Sequence, residues 1–301
     1  MTQTKRTGFL VLPGIALLTV ILWFSSEQMS LAGGIPKAGG TVKVLYAGSL
    51  VNLMEHGIGP AFTEATGHKF DGYGGGSNGL ADQIKGKLRQ GDVFISATSK
   101  AYGDLMGVSN GDWVSWYIAF GQSPLAIGYN TSSRFAADFM TKPWYEVLLE
   151  PGIRIGRTDP TLDPKGALTL QLMRNAEAFY NSPDLLQRVL GAPDNPTQVF
   201  PEETLVGRLQ SGQLDAGFFY STETTDAKIS AIDLPAAIAP TAVYTVTILH
   251  NAPNATGAER FVSFLLGDEG RRVLLEHGLY LQNFEISGDQ NAVPLAIRSL
   301  P

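Results

Sequence analysis

None of the 301 residues is cysteine, so disulfides, thiolate nucleophiles and cysteine-ligated metals are excluded together. With 44% hydrophobic and 17% charged residues, the chain can bury a substantial core, as one large domain or two ordinary ones. The 28 acidic and 22 basic residues leave a net charge of −6, which argues against nucleic acid as a partner and makes any selectivity for an anion a local matter.

At the N-terminus, Lys5 and Arg6 precede the apolar run Phe9–Phe24, and Ser30-Leu31-Ala32 offers a small-residue cleavage site. Residues 1–32 read as an export signal, with an uncleaved membrane anchor as the alternative. Either way the bulk of the chain is expected outside the cytoplasm, in the periplasm or an equivalent compartment. No cysteine is present for lipidation, so a processed chain is expected to be freely soluble.

Beyond a glycine-rich lead-in (33–40), strands and helices alternate in the manner of an open α/β protein. Val42–Tyr46 reads as a strand, Ser49–Thr66 as a helix broken or kinked around Gly57–Pro60, and Lys69–Tyr73 as a second strand. Ser77–Arg89 is expected to be a helix with Leu80, Ile84 and Leu88 on one face, followed by a buried strand at Asp92–Ser96 and a helix near Lys100–Leu105. After the aromatic stretch Trp113–Phe120, the strand Ser123–Tyr129 could carry the chain into a second unit. That unit holds a strand at Ile153–Gly156, a helix at Pro164–Tyr180, a helix at Glu202–Gln210 and a strand at Ala216–Tyr220. The β-branched strand Ala242–Leu249 could return the chain to the first unit, where Asn254 caps a helix at Ala255–Leu266 and Glu269–Glu276 forms another. The order predicts two α/β lobes joined by two strand crossings, lobe 1 from 41–121 and 241–301 and lobe 2 from 122–240. A ligand cleft would lie between them.

Two segments carry the chemistry. Ala47-Gly48-Ser49-Leu50 closes one strand and Gly76-Ser77-Asn78 closes another, each opening a helical pattern. Hydroxyls and free N–H groups at two helix N-termini, with glycine beside each, would receive a small oxyanion without lysine or arginine. Ordinary capping is the alternative for either serine. Gly74, Gly76 and Gly79 also satisfy G-x-G-x-x-G, but Asp92, at the distance of a ribose-binding acid, begins its strand where that role needs the end. In the second unit, Asp163 stands at an N-cap position in Arg157-Thr-Asp159-Pro-Thr-Leu-Asp163-Pro-Lys-Gly, at a strand-to-helix corner that would face the serines. A carboxylate beside an oxyanion is unfavourable unless it binds the metal centre or shares a proton. Tyr220 ends a buried strand, as a lobe-interface aromatic or as a phenol donating to the anion. The four histidines have no metal-ligand spacing, and no nucleophile stands with its base, so neither a cofactor nor an enzyme activity is expected.

Val44-Leu-Tyr-Ala-Gly-Ser49-Leu, Gly-Gly-Gly-Ser77-Asn-Gly-Leu-Ala-Asp and Gly91-Asp-Val-Phe-Ile-Ser-Ala resemble the molybdate/tungstate-binding proteins of ABC importers. Trp116-Tyr-x-Ala-Phe, Pro124-Leu-Ala-Ile-x-Tyr129-Asn, Lys142-Pro-Trp-Tyr-Glu, Asp159-Pro-x-x-Asp163-Pro-x-Gly and Asp215-Ala-Gly-Phe-Phe-Tyr220-Ser follow in the same order. The resemblance implies a type II periplasmic-binding fold with a central cleft, and an extracytoplasmic, monomeric binding protein that hands its ligand to a membrane permease. It implies Ser49, Ser77 and the neighbouring Asn78 as first-lobe ligands, with Asp163 and Tyr220 from the second. In archaeal-type members it places a glutamate immediately before the tyrosine, which with the aspartate makes the metal six-coordinate. Here that position is Phe219, so a tetrahedral, hydrogen-bonded anion is expected, with Asp163 a metal ligand only if the oxyanion's metal accepts a carboxylate. Sulfate or another small solute is the alternative ligand, and a sensor without a transport role the alternative use.

Overall fold

The computed structural model describes residues 39–300; the export signal expected at 1–32 lies outside them. Nine strands form its framework: β1 (Gly39–Ala47), β2 (His68–Gly75), β3 (Val93–Ser96), β4 (Trp116–Tyr129), β5 (Ile155–Gly156), β6 (Ala216–Tyr220), β7 (Ser230–Asp233), β8 (Thr241–Ile248) and β9 (Tyr280–Gly288). Their order is β2-β1-β3-β8-β4-β6-β5, with β7 and β9 also paired to β4. β1 runs parallel to β2 and β3, whereas β8 is antiparallel to both β3 and β4. The residues of β4 up to Pro124 pair with β8 and β9, and those from Leu125 to Tyr129 pair with β6 and β7. One strand thus serves two sheets, and this two-lobed α/β arrangement is the fold expected from the order of elements.

Both faces of the first sheet are covered, which is why β1 is apolar and buried from Val44 to Ala47. Val42, Val44 and Tyr46 enter the main core, whereas Leu45 points the other way onto Leu80, Ile84 and Phe94. The main core includes residues of both sheets, among them Val246, Ile127, Phe218 and Tyr220.

The helix expected from Ser49 to Thr66 is a relay rather than a broken rod. A 3₁₀ turn at Gly48–Leu50 leads to a π-helical segment at Leu53–Ile58 and then to α1 (Gly59–Thr66). Pro60 has no N–H and its ring crowds the carbonyl four residues back; a wider turn, in which the Gly59 N–H donates to the Met54 carbonyl, makes room for it.

The helix expected to reach Arg89 stops early. α2 spans Ser77–Lys85, and Leu88, expected on its buried face, is 80% exposed. Lys87 takes the left-handed conformation at φ 57, its N–H donates to the Ile84 carbonyl, and the Leu88 N–H donates to the Gln83 carbonyl. That pair of bonds is the Schellman termination, with lysine where glycine is usual. The strand expected at Ile153–Gly156 is confined to Ile155–Gly156, and the short strand β7 and the nine-residue β9 lie in stretches where no strand was expected.

Candidate functional site

Three strand ends and two loops meet at the centre of the molecule. β1 delivers Ser49 in the turn Gly48–Leu50, β2 delivers Ser77 and Asn78 at the start of α2, and β6 ends on Tyr220. Asp163 stands at the N-cap of α3 (Pro164–Phe179), and Glu202 opens a 3₁₀ turn that leads into α4 (Leu205–Gln210).

Neither serine caps a helix. Ser49 sits within a three-residue turn instead of starting a helix, and its Oγ lies 2.9 Å from the Tyr244 hydroxyl on β8. Ser77 is the first residue of α2, with Gly76 at the cap, and its Oγ accepts the Ala97 N–H at 3.0 Å. A hydroxyl that accepts one bond still has its proton to donate. The helix-start argument therefore applies to Ser77 and Asn78, whose N–H groups have no intrahelical acceptor, and not to Ser49.

Asp163 caps α3 with one carboxylate oxygen and leaves the other unsatisfied. Oδ1 accepts from the Lys165 N–H at 2.7 Å and from the Thr158 hydroxyl at 2.9 Å, which caps α3; Oδ2 is buried without a hydrogen-bond partner. Tyr220 is fully buried, and its hydroxyl is unpartnered too. Burial first, then the charges of Asp163, Tyr244 and the glutamates, holds its pKa well above the ordinary phenol range, so it keeps its proton as a donor. Tyr244 is raised likewise, chiefly by burial.

The residue the sequence reading missed is Glu202. It is 4% exposed, and neither of its carboxylate oxygens has a hydrogen-bond partner. Burial, then the negative charge of Asp163, raises its pKa well above the carboxylate range. In sequence, Pro201-Glu202-Glu203 looks like any acidic helix start complementing the dipole, and only its tertiary position reveals more. Glu223, by contrast, is fully engaged: both oxygens accept from the Lys165 ammonium at 2.8 Å, and one also accepts the Tyr220 N–H. Burial opposes the charge on Lys165, but Glu223, Glu202 and Asp163 together hold its pKa above the usual lysine value. Phe219 packs with Leu205, Leu209 and Leu214, in a cluster apart from the core that holds Tyr220. Adjacent strand residues point to opposite faces, so position 219 is poorly placed to bring a side chain beside the Tyr220 hydroxyl.

The asymmetry is sharp. Among the described residues, six buried side-chain polar atoms lack a hydrogen-bond partner, and five belong to Asn78, Asp163, Glu202 and Tyr220; the sixth is in Ser263. Such atoms cost free energy unless something else satisfies them. A cavity of about 350 Å³ lined by Tyr73, Gly76, Thr158, Asp163, Phe200 and Glu202 leads to this centre. On the other side, Ser49, Glu202 and Glu223 border a void of about 30 Å³, roughly the share of liquid volume taken by one water molecule. The cleft is bridged: the Gly79 N–H donates to the Leu162 carbonyl, and Asn78 Nδ2 to the Thr161 carbonyl, both at 3.0 Å. Glycine is required for this approach, because a Cβ at Gly76 would stand 2.6 Å from the Leu162 carbonyl oxygen.

The dinucleotide alternative fails on Asp92. Its two oxygens accept the Lys43 and Asn254 N–H groups, at 2.7 and 2.6 Å, so the carboxylate ties β1 and the start of α5 (Ala255–Leu266) to β3.

A two-lobed α/β fold whose unsatisfied polar atoms gather in the cleft between the lobes defines a solute-binding protein. The chain belongs to the bacterial extracellular solute-binding protein family, whose sequence profile matches residues 42–280. It is 25% identical, over 326 aligned positions and 91% of each chain, to the molybdate/tungstate-binding protein WtpA of Thermococcus kodakarensis. It is 28% identical over 203 positions (66% of this chain, 61% of the relative) to a putative ABC transporter molybdenum-binding protein of Haloferax volcanii. The periplasmic molybdate-binding protein of Azotobacter vinelandii shares the fold, with a TM-score of 0.62 at 21% identity over 80% of this chain and all of that one. Among the described residues no helix is long and apolar enough to cross a membrane.

Proposed function

We propose that this protein captures molybdate or tungstate outside the cytoplasm for an ABC importer, as a monomer presented to a membrane permease after removal of residues 1–32. The names of its relatives in Thermococcus and Haloferax support that class of ligand and partner. The observation that carries the reading is the unpartnered, buried Tyr220 hydroxyl, a donor, gathered with the carboxylate oxygens of Asp163 and Glu202. In this reading lobe 1 comprises 41–121 and 241–301, and lobe 2 comprises 122–240.

The donor set is the hydroxyls of Ser49, Ser77 and Tyr220 with the first N–H groups of α2. Each charge-assisted hydrogen bond contributes roughly 1.5–3 kcal/mol, so a handful would offset the cost of ordering the cleft. Asp163 Oδ2 and the Glu202 carboxylate, whose Oε1 is ion-paired with Lys165 at 3.4 Å, cannot donate while ionised. They suit an anion whose metal centre accepts carboxylate oxygens, which sulfur and phosphorus at the centre of sulfate and phosphate do not. Glu202 thereby takes the acidic role left vacant at Phe219.

Calorimetric titration with molybdate, tungstate, sulfate and phosphate tests the reading, with melting curves in parallel. A ligand at 100 times its Kd adds about 2.7 kcal/mol to stability. Tight molybdate or tungstate binding with weak sulfate is expected, and Ser49→Ala and Ser77→Ala should each lower that affinity at least about tenfold, the loss of one charge-assisted bond. Silence with all four anions would remove the oxyanion, and preference for sulfate would remove the role of the carboxylates.

A further inference from the structure

Lys165, at the second position of α3, is fully buried, and so is its whole surrounding. Its ammonium donates to both oxygens of Glu223, lies 3.4 Å from Glu202 Oε1, and stands 5.4 Å from the centre of the Tyr220 ring. Among the described residues the other fully buried cation, Arg157, donates to Gln198 Oε1 and to the carbonyls of Pro193 and Ala192. Lys165 is therefore the positive charge set among the three buried carboxylates Asp163, Glu202 and Glu223. A buried ion pair is no better for stability than a well-packed apolar pair, so its position beside the unpartnered atoms calls for another role.

We infer that the Lys165–Glu223 pair sets the charge of the ligand the cleft accepts, favouring a tetrahedral dianion over a monoanion of the same shape. The inference rests on the oxyanion reading above. Coulomb energy follows the product of the charges, so every fixed charge acts on a dianion twice as strongly as on a monoanion of equal size. Asp163, and Glu202 when it is ionised, oppose the dianion more. Lys165 offsets them, while Glu223 anchors Lys165 and limits the offset. Uncharging the two ends of the pair must therefore shift selectivity in opposite directions. A packing role cannot do so, because loss of packing weakens both ligands alike.

The test compares molybdate with perrhenate, a tetrahedral monoanion of similar size, by calorimetry on the full chain. In Lys165→Met the molybdate-to-perrhenate affinity ratio is expected to fall by about tenfold or more, and in Glu223→Gln to rise by about as much. The glutamine oxygen can still accept the Tyr220 N–H, so the turn after β6 keeps its bond. The double variant should return to within about threefold of the parent ratio, the two charges having been removed together. Melting curves report folding, and if Lys165→Met does not fold, Glu223→Gln and the double variant carry the comparison. Both single variants shifting the ratio the same way, or neither shifting it, overturns the inference while molybdate binding by the parent protein upholds the functional reading. A parent protein that binds no oxyanion overturns both.

Discussion

Asn78 on α2 donates from Nδ2 to the carbonyl of Thr161 at 3.0 Å, across the cleft, while its own Oδ1 is buried and unpartnered. One amide thus bridges the cleft with its donor and leaves its acceptor unsatisfied. Beside it, Gly76 lets the backbones come close enough for the Gly79–Leu162 bond.

Gly76→Ala should act on closure. Its methyl group would meet the Leu162 carbonyl across the bridged cleft, a clash of roughly 1–3 kcal/mol that parting of the lobes would relieve. Ligand affinity is expected to fall about tenfold or more, with the unliganded melting temperature nearly unchanged. Paired calorimetry and melting curves check this; equal losses in both would place the strain in the fold.

Tyr220→Phe separates binding from stability. The hydroxyl it removes is buried and has no partner within the protein. Its loss should leave the unliganded protein as stable as before or slightly more so, while ligand affinity falls about tenfold, the worth of one charge-assisted bond. A variant that melts lower without ligand would show that the hydroxyl has a structural partner.

Glu202 predicts a pH dependence. Its pKa is raised in the folded protein, chiefly by burial and then by Asp163. The sign follows: its contribution to stability is fully present below the unfolded carboxylate range and is lost as pH rises through the folded value. Glu202→Gln should therefore raise the melting temperature of the unliganded protein at pH 7–8, by roughly 2–4 °C per kcal/mol recovered. It should change little near about pH 4, where Glu202 is protonated in the folded chain and largely so in the unfolded one, and it should weaken molybdate. Melting curves from pH 4 to 8 decide; a gain that is uniform in pH would rule out the charge.

Lys87 offers a test far from the cleft. A non-glycine residue in the left-handed conformation carries roughly 1–2 kcal/mol of strain. Part of that is regained in Lys87→Gly, less the extra freedom glycine has when unfolded. A stabilisation of about 0.5–1 kcal/mol with unchanged affinity is expected from denaturant titration.

The alternation of strands and helices was readable because each element covers a sheet face: Val42, Val44 and Leu45 divide between two cores as a doubly covered strand must. Ser77, Asn78, Asp163 and Tyr220 were readable as candidates because strand ends and helix starts have unsatisfied groups and glycine marks close approach. Glu202 was not, since a glutamate after proline at a helix start is locally satisfied by the dipole and gains its meaning only from the Asp163 carboxylate beside it. Lys165 was not either, because nothing near it in sequence shows that it is buried, and Glu223, its partner, is 58 residues away. The premature end of α2 escaped because Gly86 stands one residue before the left-handed position it would ordinarily fill.

β4 has a further consequence. It runs unbroken for 14 residues, bound to β8 and β9 at one end and to β6 and β7 at the other. Neither lobe can lose its order without stripping the other of a central strand. The molecule should therefore behave thermally as one cooperative body: a single calorimetric transition, unmatched by any partly folded plateau in denaturant.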